Sequence, residues 1–294
     1  MSRPRVGLVL GSGSSRGWAH IGAIEALNDH KIQISAIAAT SSGSFIGASF
    51  AGGGLESIKN FALDMDWKRV LSFLDIAFPR SGFIEGRKVA ELIQRYTKVS
   101  QFDELSIPVH MVATDMFTGE QVVLSQGSIS DALRASMAVP GLLTPIMIDN
   151  RWLVDGGVVN PLPVDVCRQL NADLVIAVDL NSERISGQAQ DKSEEGWKTG
   201  SDSVEKKRLE VITSWIERYG SAGKTVSTRI DKWFSKEESS PHIFEVLGSS
   251  LNIMQKKIER MNLETHKPDV LIQPRLGDLK FFDFDQAARA IEEG

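Results

Sequence analysis

Ser41 stands in the run Ala39-Thr40-Ser41-Ser42-Gly43, a hydroxyl with small residues two positions to either side. That pattern suits a sharp turn from strand to helix, which lifts a nucleophilic oxygen above a sheet edge without steric conflict. The helix that follows would aim its first N–H groups at negative charge forming beside the hydroxyl. Alone, Ser41, Ser42 and Ser44 are equally eligible as helix caps. A carboxylate that could serve the hydroxyl lies more than a hundred residues on, in Trp152-Leu153-Val154-Asp155-Gly156-Gly157, where an apolar strand ends in an acid followed by two flexible residues. In isolation Asp-Gly-Gly is a turn signal. The third part is the loop Gly11-Ser12-Gly13-Ser14-Ser15-Arg16-Gly17, whose successive N–H groups would stabilise either a phosphate or a tetrahedral oxyanion. A hydroxyl, an acid and an amide cluster together are the parts of an acyl-transfer site.

The phosphate alternatives do poorly on their own terms, although a nucleotide-binding protein using the Gly11 to Gly17 loop stays open as a third reading. A P-loop ends in Gly-Lys-Ser/Thr, but here Arg16-Gly17-Trp18 stands in that place. A dinucleotide fold requires an acidic residue about 20 positions on, where this chain has Ala38-Ala39-Thr40. A three-member relay in the order Ser, Asp, His would need a histidine after Asp155, and only His242 and His266 follow, both in polar surroundings. His20 and His110 belong to no motif. The expected engine is therefore a dyad of Ser41 and Asp155. An aspartate with an ordinary pKa of about 3.9 is a weak base for a serine, so burial or strong oxyanion donors must compensate.

The elements that would position these groups alternate between strand and helix. Val6–Leu10 reads as a buried strand before the loop, and residues 18–27 carry Ile21, Ile24 and Leu27 at helical spacing. Residues 34–39 form a second apolar strand, and 43–51 a helix of small residues. Further strands are expected at 109–113, Gln121–Leu124, Ile146–Ile148, 152–154, Leu174–Val178 and Val270–Ile272. Asp149 and Asn150 suit the turn of a hairpin, residues 130–136 a helix with a capping start, and Asp285 a cap for a last helix over 286–293. This rhythm predicts an α/β protein with a mostly parallel sheet, arranged as one domain over residues 1–294.

Composition narrows the setting. The 294 residues are 42% hydrophobic and 24% charged, enough apolar material for a sizeable core. The net charge of −5 offers no general field for nucleic acid or anionic membranes. Cys167 is the sole cysteine, which excludes an internal disulfide and a cysteine-based metal cluster and favours a cytoplasmic setting. No metal or cofactor is called for. Residues 182–241 differ in kind, being rich in Lys, Glu, Ser and Gly, with an amphipathic stretch over 204–219. For that stretch a lid, an oligomer contact and a membrane-surface element remain open, the last using Trp215, Trp233 and Phe234 in transient contact through 204–234. Packing against its own domain or a second copy weighs equally.

In this order and at these spacings, the motifs resemble the patatin-like phospholipase family, in particular small bacterial members near the neuropathy-target-esterase branch. Residues 11–22 are similar to its oxyanion loop, 39–43 to its nucleophile motif, Asp155-Gly156-Gly157 to its dyad aspartate, and 135–141 with Pro145 to a segment lining the site. Ala39 stands where the motif carries glycine, as do Ser12 and Ser14 in the loop. The resemblance implies a three-layer α/β/α fold, with attack by Ser41 on a fatty acyl ester, proton removal by Asp155, and amides of Gly13, Ser14, Ser15 and Arg16 at the oxyanion. Gly11, Gly17, Ala39, Gly43, Gly156 and Gly157 would support these motifs, and the substrate would be a lipid or other fatty acyl ester. The alternative is a catalytically silent domain of the same fold acting as a regulatory or binding module.

Overall fold

A computed structural model describes residues 3–66, 92, 95–182 and 243–294. Val6–Leu10 (β1) is buried from its second residue onward, and Ile34–Thr40 (β2) from its third. Strands buried on both faces form when helices cover both sides of a sheet. Successive side chains of β1 show this directly, because strand residues alternate between faces. Leu8 and Leu10 join the main core, with residues of Ala19–Asp29 (α1), Ser42–Ala51 (α2), Leu55–Leu63 (α3), Ile129–Ser136 (α4) and Ala287–Glu293 (α7). Val9 joins a second core on the other face, with Val164, Val166 and Cys167 of Val164–Gln169 (α5) and, partly buried, Leu263 of Ile243–Thr265 (α6). The architecture is three-layered α/β/α, as expected.

The remaining strands are Val109–Asp115 (β3), Gln121–Leu124 (β4), Ile146–Ile148 (β5), Arg151–Asp155 (β6), Leu174–Val178 (β7) and Val270–Ile272 (β8). The pairing path runs β5-β6-β3-β2-β1-β7-β8, with β4 attached to β3. Pairings among β3, β2, β1, β7 and β8 are parallel, and those involving β4, β5 and β6 are antiparallel. Asp149 and Asn150 join β5 to β6 at φ of 48° and 60°, which is the mirror-type turn favoured in tight hairpins.

One consequence of register places the site. Strand β3 has two hydrogen-bonding edges, and β4 occupies one of them along residues 111–114. Both β2, paired with residues 109–112, and β6, paired with 113–115, overlap that stretch, so they share the opposite edge end to end. Because β2 is parallel and β6 antiparallel to β3, their C-terminal ends meet head to head: Thr40 lies opposite Val112 and Asp155 opposite Ala113.

Several boundaries differ from expectation. Helix α4 begins at Ile129, and its cap is Ser128, whose hydroxyl accepts a bond from the Asp131 N–H; Ser130 lies inside the helix. Asp285 does not cap the last helix, because it sits within a 3-10 turn, Phe284–Gln286, and α7 starts at Ala287. The stretch at 204–219, with Trp215, Trp233 and Phe234, lies outside the described residues, as does His242.

Leu133, fully buried on α4, anchors the helix that passes beneath the strand junction. Replacement Leu133→Ala is expected to cost about 2–5 kcal/mol, the range for removing a packed leucine from a core, read as a lower urea midpoint with an unchanged slope.

Candidate functional site

Ser41 is the residue at which β2 turns into α2, and its backbone takes φ 56° and ψ −122°. A non-glycine residue in that region carries strain on the order of 1–3 kcal/mol, so neighbours must enforce it. The Ser41 N–H donates to Ser136 Oγ at 2.9 Å, and Ser136 Oγ–H in turn donates to the Val112 carbonyl at 2.7 Å. With that proton committed, the 2.9 Å contact between Ser44 and Ser136 has Ser44 as its donor. Thr40 Oγ1 donates to the Asn160 carbonyl at 2.8 Å. Gly43 permits the tight crossing of α2 over β1, since a Cβ there would fall 2.2 Å from the Leu10 carbonyl oxygen. The methyl group of Ala39 is accommodated away from the turn, wholly buried in the main core and facing Gly47.

Asp155 reaches Ser41 because the two strand ends converge. Its Oδ2 accepts the Ser41 hydroxyl at 2.7 Å, and its Oδ1 accepts the Gly157 N–H at 2.7 Å. The backbone is fixed as well: Asp155 N–H donates to the Ala138 carbonyl at 2.9 Å, and Thr114 Oγ1 donates to the Asp155 carbonyl at 2.9 Å. The side chain is buried, which pushes its pKa up to about 6, opposed by the bonds from Ser41 and Gly157. Burial thus makes this carboxylate a stronger base than an exposed aspartate.

The loop between β1 and the 3-10 turn Ser14–Trp18 lies beside the nucleophile turn, with Gly17 against Ser42. Within it the Ser12 N–H donates to the Pro161 carbonyl at 2.8 Å, that of Ser15 to Phe281 at 3.3 Å and that of Arg16 to Gly13 at 3.1 Å. The N–H groups of Gly13 and Ser14 have no acceptor among the described residues. Ser14 adopts φ 52°, a region that usually favours glycine. The serine hydroxyls tie the loop to distant chain: Ser14 Oγ donates to the Phe281 carbonyl at 2.7 Å, Ser15 Oγ to Lys280 at 2.7 Å, and Ser12 Oγ to Gln255 Oε1 at 3.3 Å.

No histidine is bonded to Ser41 or Asp155 among the described residues. His20 is fully buried, and its Nε2 donates to the Gly11 carbonyl at 2.7 Å. Burial lowers its pKa to about 4, so it is neutral and serves the loop's backbone. His266 is exposed. Among the described residues no cluster of His, Cys, Asp or Glu could hold a metal ion, and no helix is long and apolar enough to cross a membrane. A cleft of about 650 Å³ lined by Arg3, Arg5, Asn28, Lys31 and Gln33 lies where β1 and β2 begin. Chemistry in open α/β sheets gathers instead at the carboxyl ends of strands, where Ser41 stands.

Ser136 belongs to the 135–141 segment expected to line the site, but its bonds to the Ser41 N–H and the Val112 carbonyl were not legible in the sequence. A single polar side chain ending an amphipathic helix carries no signal that it will turn under a strand junction.

The family model described as patatin-like phospholipase matches residues 8–168. An uncharacterized NTE family protein of Mycobacterium bovis is 38% identical over 190 residues, covering 65% of this chain and 52% of that protein. A second M. bovis protein of the same description is 34% identical over 181 residues, covering 60% of this chain and 30% of that one. Human patatin-like phospholipase domain-containing protein 6 is 33% identical over 185 residues, covering 60% of this chain and 13% of that protein. The chain thus spans about half the length of the first of these relatives and less of the others.

Replacing Ser136 by alanine leaves the Ser41 N–H without its acceptor and the Val112 carbonyl without its donor. Ser136→Ala is expected to cost about 1–3 kcal/mol for the buried groups left unpaired, measurable by chemical denaturation.

Proposed function

The chain belongs to the patatin-like phospholipase family, whose model matches residues 8–168, and on that premise we propose that it is a serine acyl hydrolase cleaving fatty acyl esters of lipids. The reading is supported above all by the 2.7 Å bond from Ser41 Oγ to Asp155 Oδ2 at the meeting of two strand ends. Ser41 Oγ attacks the ester carbonyl carbon while its proton passes to Asp155 Oδ2. The carbonyl oxygen becomes an oxyanion and accepts the N–H groups of Gly13 and Ser14, the two in the loop with no acceptor among the described residues; those of Ser15 and Arg16 are already bonded. As the tetrahedral centre collapses, the C–O bond to the alcohol breaks and Asp155 returns the proton to the leaving oxygen, forming an acyl-serine. Water then attacks the acyl carbon with Asp155 again taking a proton, the carboxylic acid departs, and Ser41 recovers its hydrogen.

Fixed donors stabilise the oxyanion without reorganising during the reaction, which is why a weak base suffices. The alternative, a silent module of the same fold, is separated by chemistry, because only an activated serine reacts with a fluorophosphonate.

Wild-type protein should hydrolyse p-nitrophenyl esters and take up a fluorophosphonate at Ser41. Ser41→Ala and Asp155→Asn should each lower kcat by at least about a thousandfold; equal turnover in wild type and Ser41→Ala would refute the assignment. Since Asp155 acts ionised, kcat/KM should rise with pH through about 6 and level off above it. Its raised pKa also means that the folded state binds a proton the unfolded chain has already released between pH 3.8 and about 6. Stability from this group is therefore full at low pH and lost as pH rises through that window, by about 3 kcal/mol. In Asp155→Asn that part of the pH dependence should vanish from denaturation curves.

A further inference from the structure

Helix α6 buries a polar stripe. Asn252, Gln255, Glu259 and Asn262 follow one another at intervals of three or four, hence on one helical face, and Gln255 and Glu259 are 8% and 4% exposed. Polar groups are buried at such cost only when they are bonded; Asn252, Gln255 and Glu259 are bonded toward the back of the Gly11 to Gly17 loop, and Asn262 to Asn160 Oδ1. Arg16, itself 6% exposed, donates from Nη2 to Asn252 Oδ1 at 3.0 Å and to Asn181 Oδ1 at 3.1 Å, and from Nε to the Gly13 carbonyl at 3.3 Å. Asn181 Nδ2 donates to the Ser12 carbonyl at 3.2 Å and to Glu259 Oε2 at 3.0 Å. Asp179 completes the cluster: it accepts from the Asn181 N–H at 2.7 Å and from Gln273 Nε2 at 2.8 Å, and shares a hydrogen bond with Glu259.

Two of these bonds have a particular geometric effect. A peptide unit is planar and trans, so fixing its carbonyl fixes the direction of the N–H on its far side. The Ser12 carbonyl, held by Asn181, belongs to the same plane as the Gly13 N–H. The Gly13 carbonyl, held by Arg16, belongs to the same plane as the Ser14 N–H. Those N–H groups are the two in the loop that lack an acceptor among the described residues.

We propose that Arg16 and Asn181, braced from α6 by Asn252 and Glu259, are positioning residues that set the two peptide planes donating to the oxyanion. Acid and base are balanced within the cluster. Asp179 accepts N–H donors at both oxygens, near the Arg16 cation, and the hydrogen bond it shares with Glu259 requires a proton between the two carboxyl groups. Burial, reinforced by the neighbouring Asp179, holds Glu259 well above the usual carboxylate range. Asp179, Asn181, Asn252 and Glu259 all lie beyond residues 8–168, so the brace comes from outside the segment matched by the family model.

The assignment rests on the acyl-hydrolase reading and is tested by steady-state hydrolysis of a p-nitrophenyl ester by wild type, Asn181→Leu, Glu259→Leu and Glu259→Gln, each checked for folding by thermal denaturation. Asn181→Leu and Glu259→Leu should lose about a hundredfold in kcat, the effect of a small misplacement of catalytic groups, with KM nearly unchanged. Glu259→Gln keeps a donor for Asp179 and an acceptor for Asn181 and should retain wild-type kcat. Hydrogen exchange of a peptide spanning residues 11–18 should quicken in the leucine variants alone. Active wild type with folded leucine variants of unchanged kcat would overturn the positioning role and leave the dyad standing. Equal losses in Glu259→Gln and Glu259→Leu would also overturn it. Wild type without hydrolysis would instead bring down the acyl-transfer reading, and this assignment with it.

Discussion

The hydrogen bond between Ser41 and Asp155 exists because β2 and β6 share one edge of β3 and stop nose to nose. No flexible loop has to bring the hydroxyl to the carboxylate; Ser41, the first residue after β2, meets Asp155, the last of β6, across the gap between the two strand ends. A site carried on sheet backbone is held more rigidly than one carried on loops, and this rigidity keeps the two oxygens 2.7 Å apart. Ser136 reinforces the junction from below, joining the Ser41 N–H on one strand end to the Val112 carbonyl on the strand that both ends flank.

The same junction concentrates unfavourable terms. Ser41 and Ser14 hold positive φ, and Asp155 is buried without a cationic partner among the described residues, its burial raising the pKa to about 6. Each is offset locally: Ser41 by the first turn of α2 and by Ser136, Ser14 by its hydroxyl bond to Phe281, and Asp155 by the Ser41 and Gly157 donors. Such placement of strain and desolvation beside well-packed cores is characteristic of functional sites. The buried polar face of α6 follows the same logic, with a costly set of side chains kept because each one is bonded.

Much of this was legible in the chain. Five of the eight strands, β1, β4, β5, β7 and β8, have the limits expected from their apolar runs, and the turn residues Asp149 and Asn150 form the expected hairpin. The other three run longer: they end in polar residues, Thr40, Asp115 and Asp155, which an apolar pattern excludes although all three are buried, and β6 also begins one residue earlier, at Arg151. Helix α6 escaped notice for a related reason. Periodicity rules assume an apolar buried face, whereas here Gln255 and Glu259 are buried while Ile253, Met254 and Met261 are 67%, 51% and 56% exposed. The motif residues Ser41 and Asp155 could be named only from their motifs and the glycine loop taken together. That the loop serines bond to residues more than two hundred positions away could not, since no local pattern encodes a carbonyl acceptor.

Those long-range ties bear on how the protein is made. Synthesis delivers Ser14 and Ser15 267 and 265 residues before the carbonyls of Phe281 and Lys280 that hold them. A nascent chain can pair β1 with β2 and form the Ser41 turn while the loop above it still lacks its anchors. A polypeptide that stops short of Lys280 therefore carries the Ser41 turn beside a loop whose Ser14 and Ser15 hydroxyls lack the carbonyls that hold them.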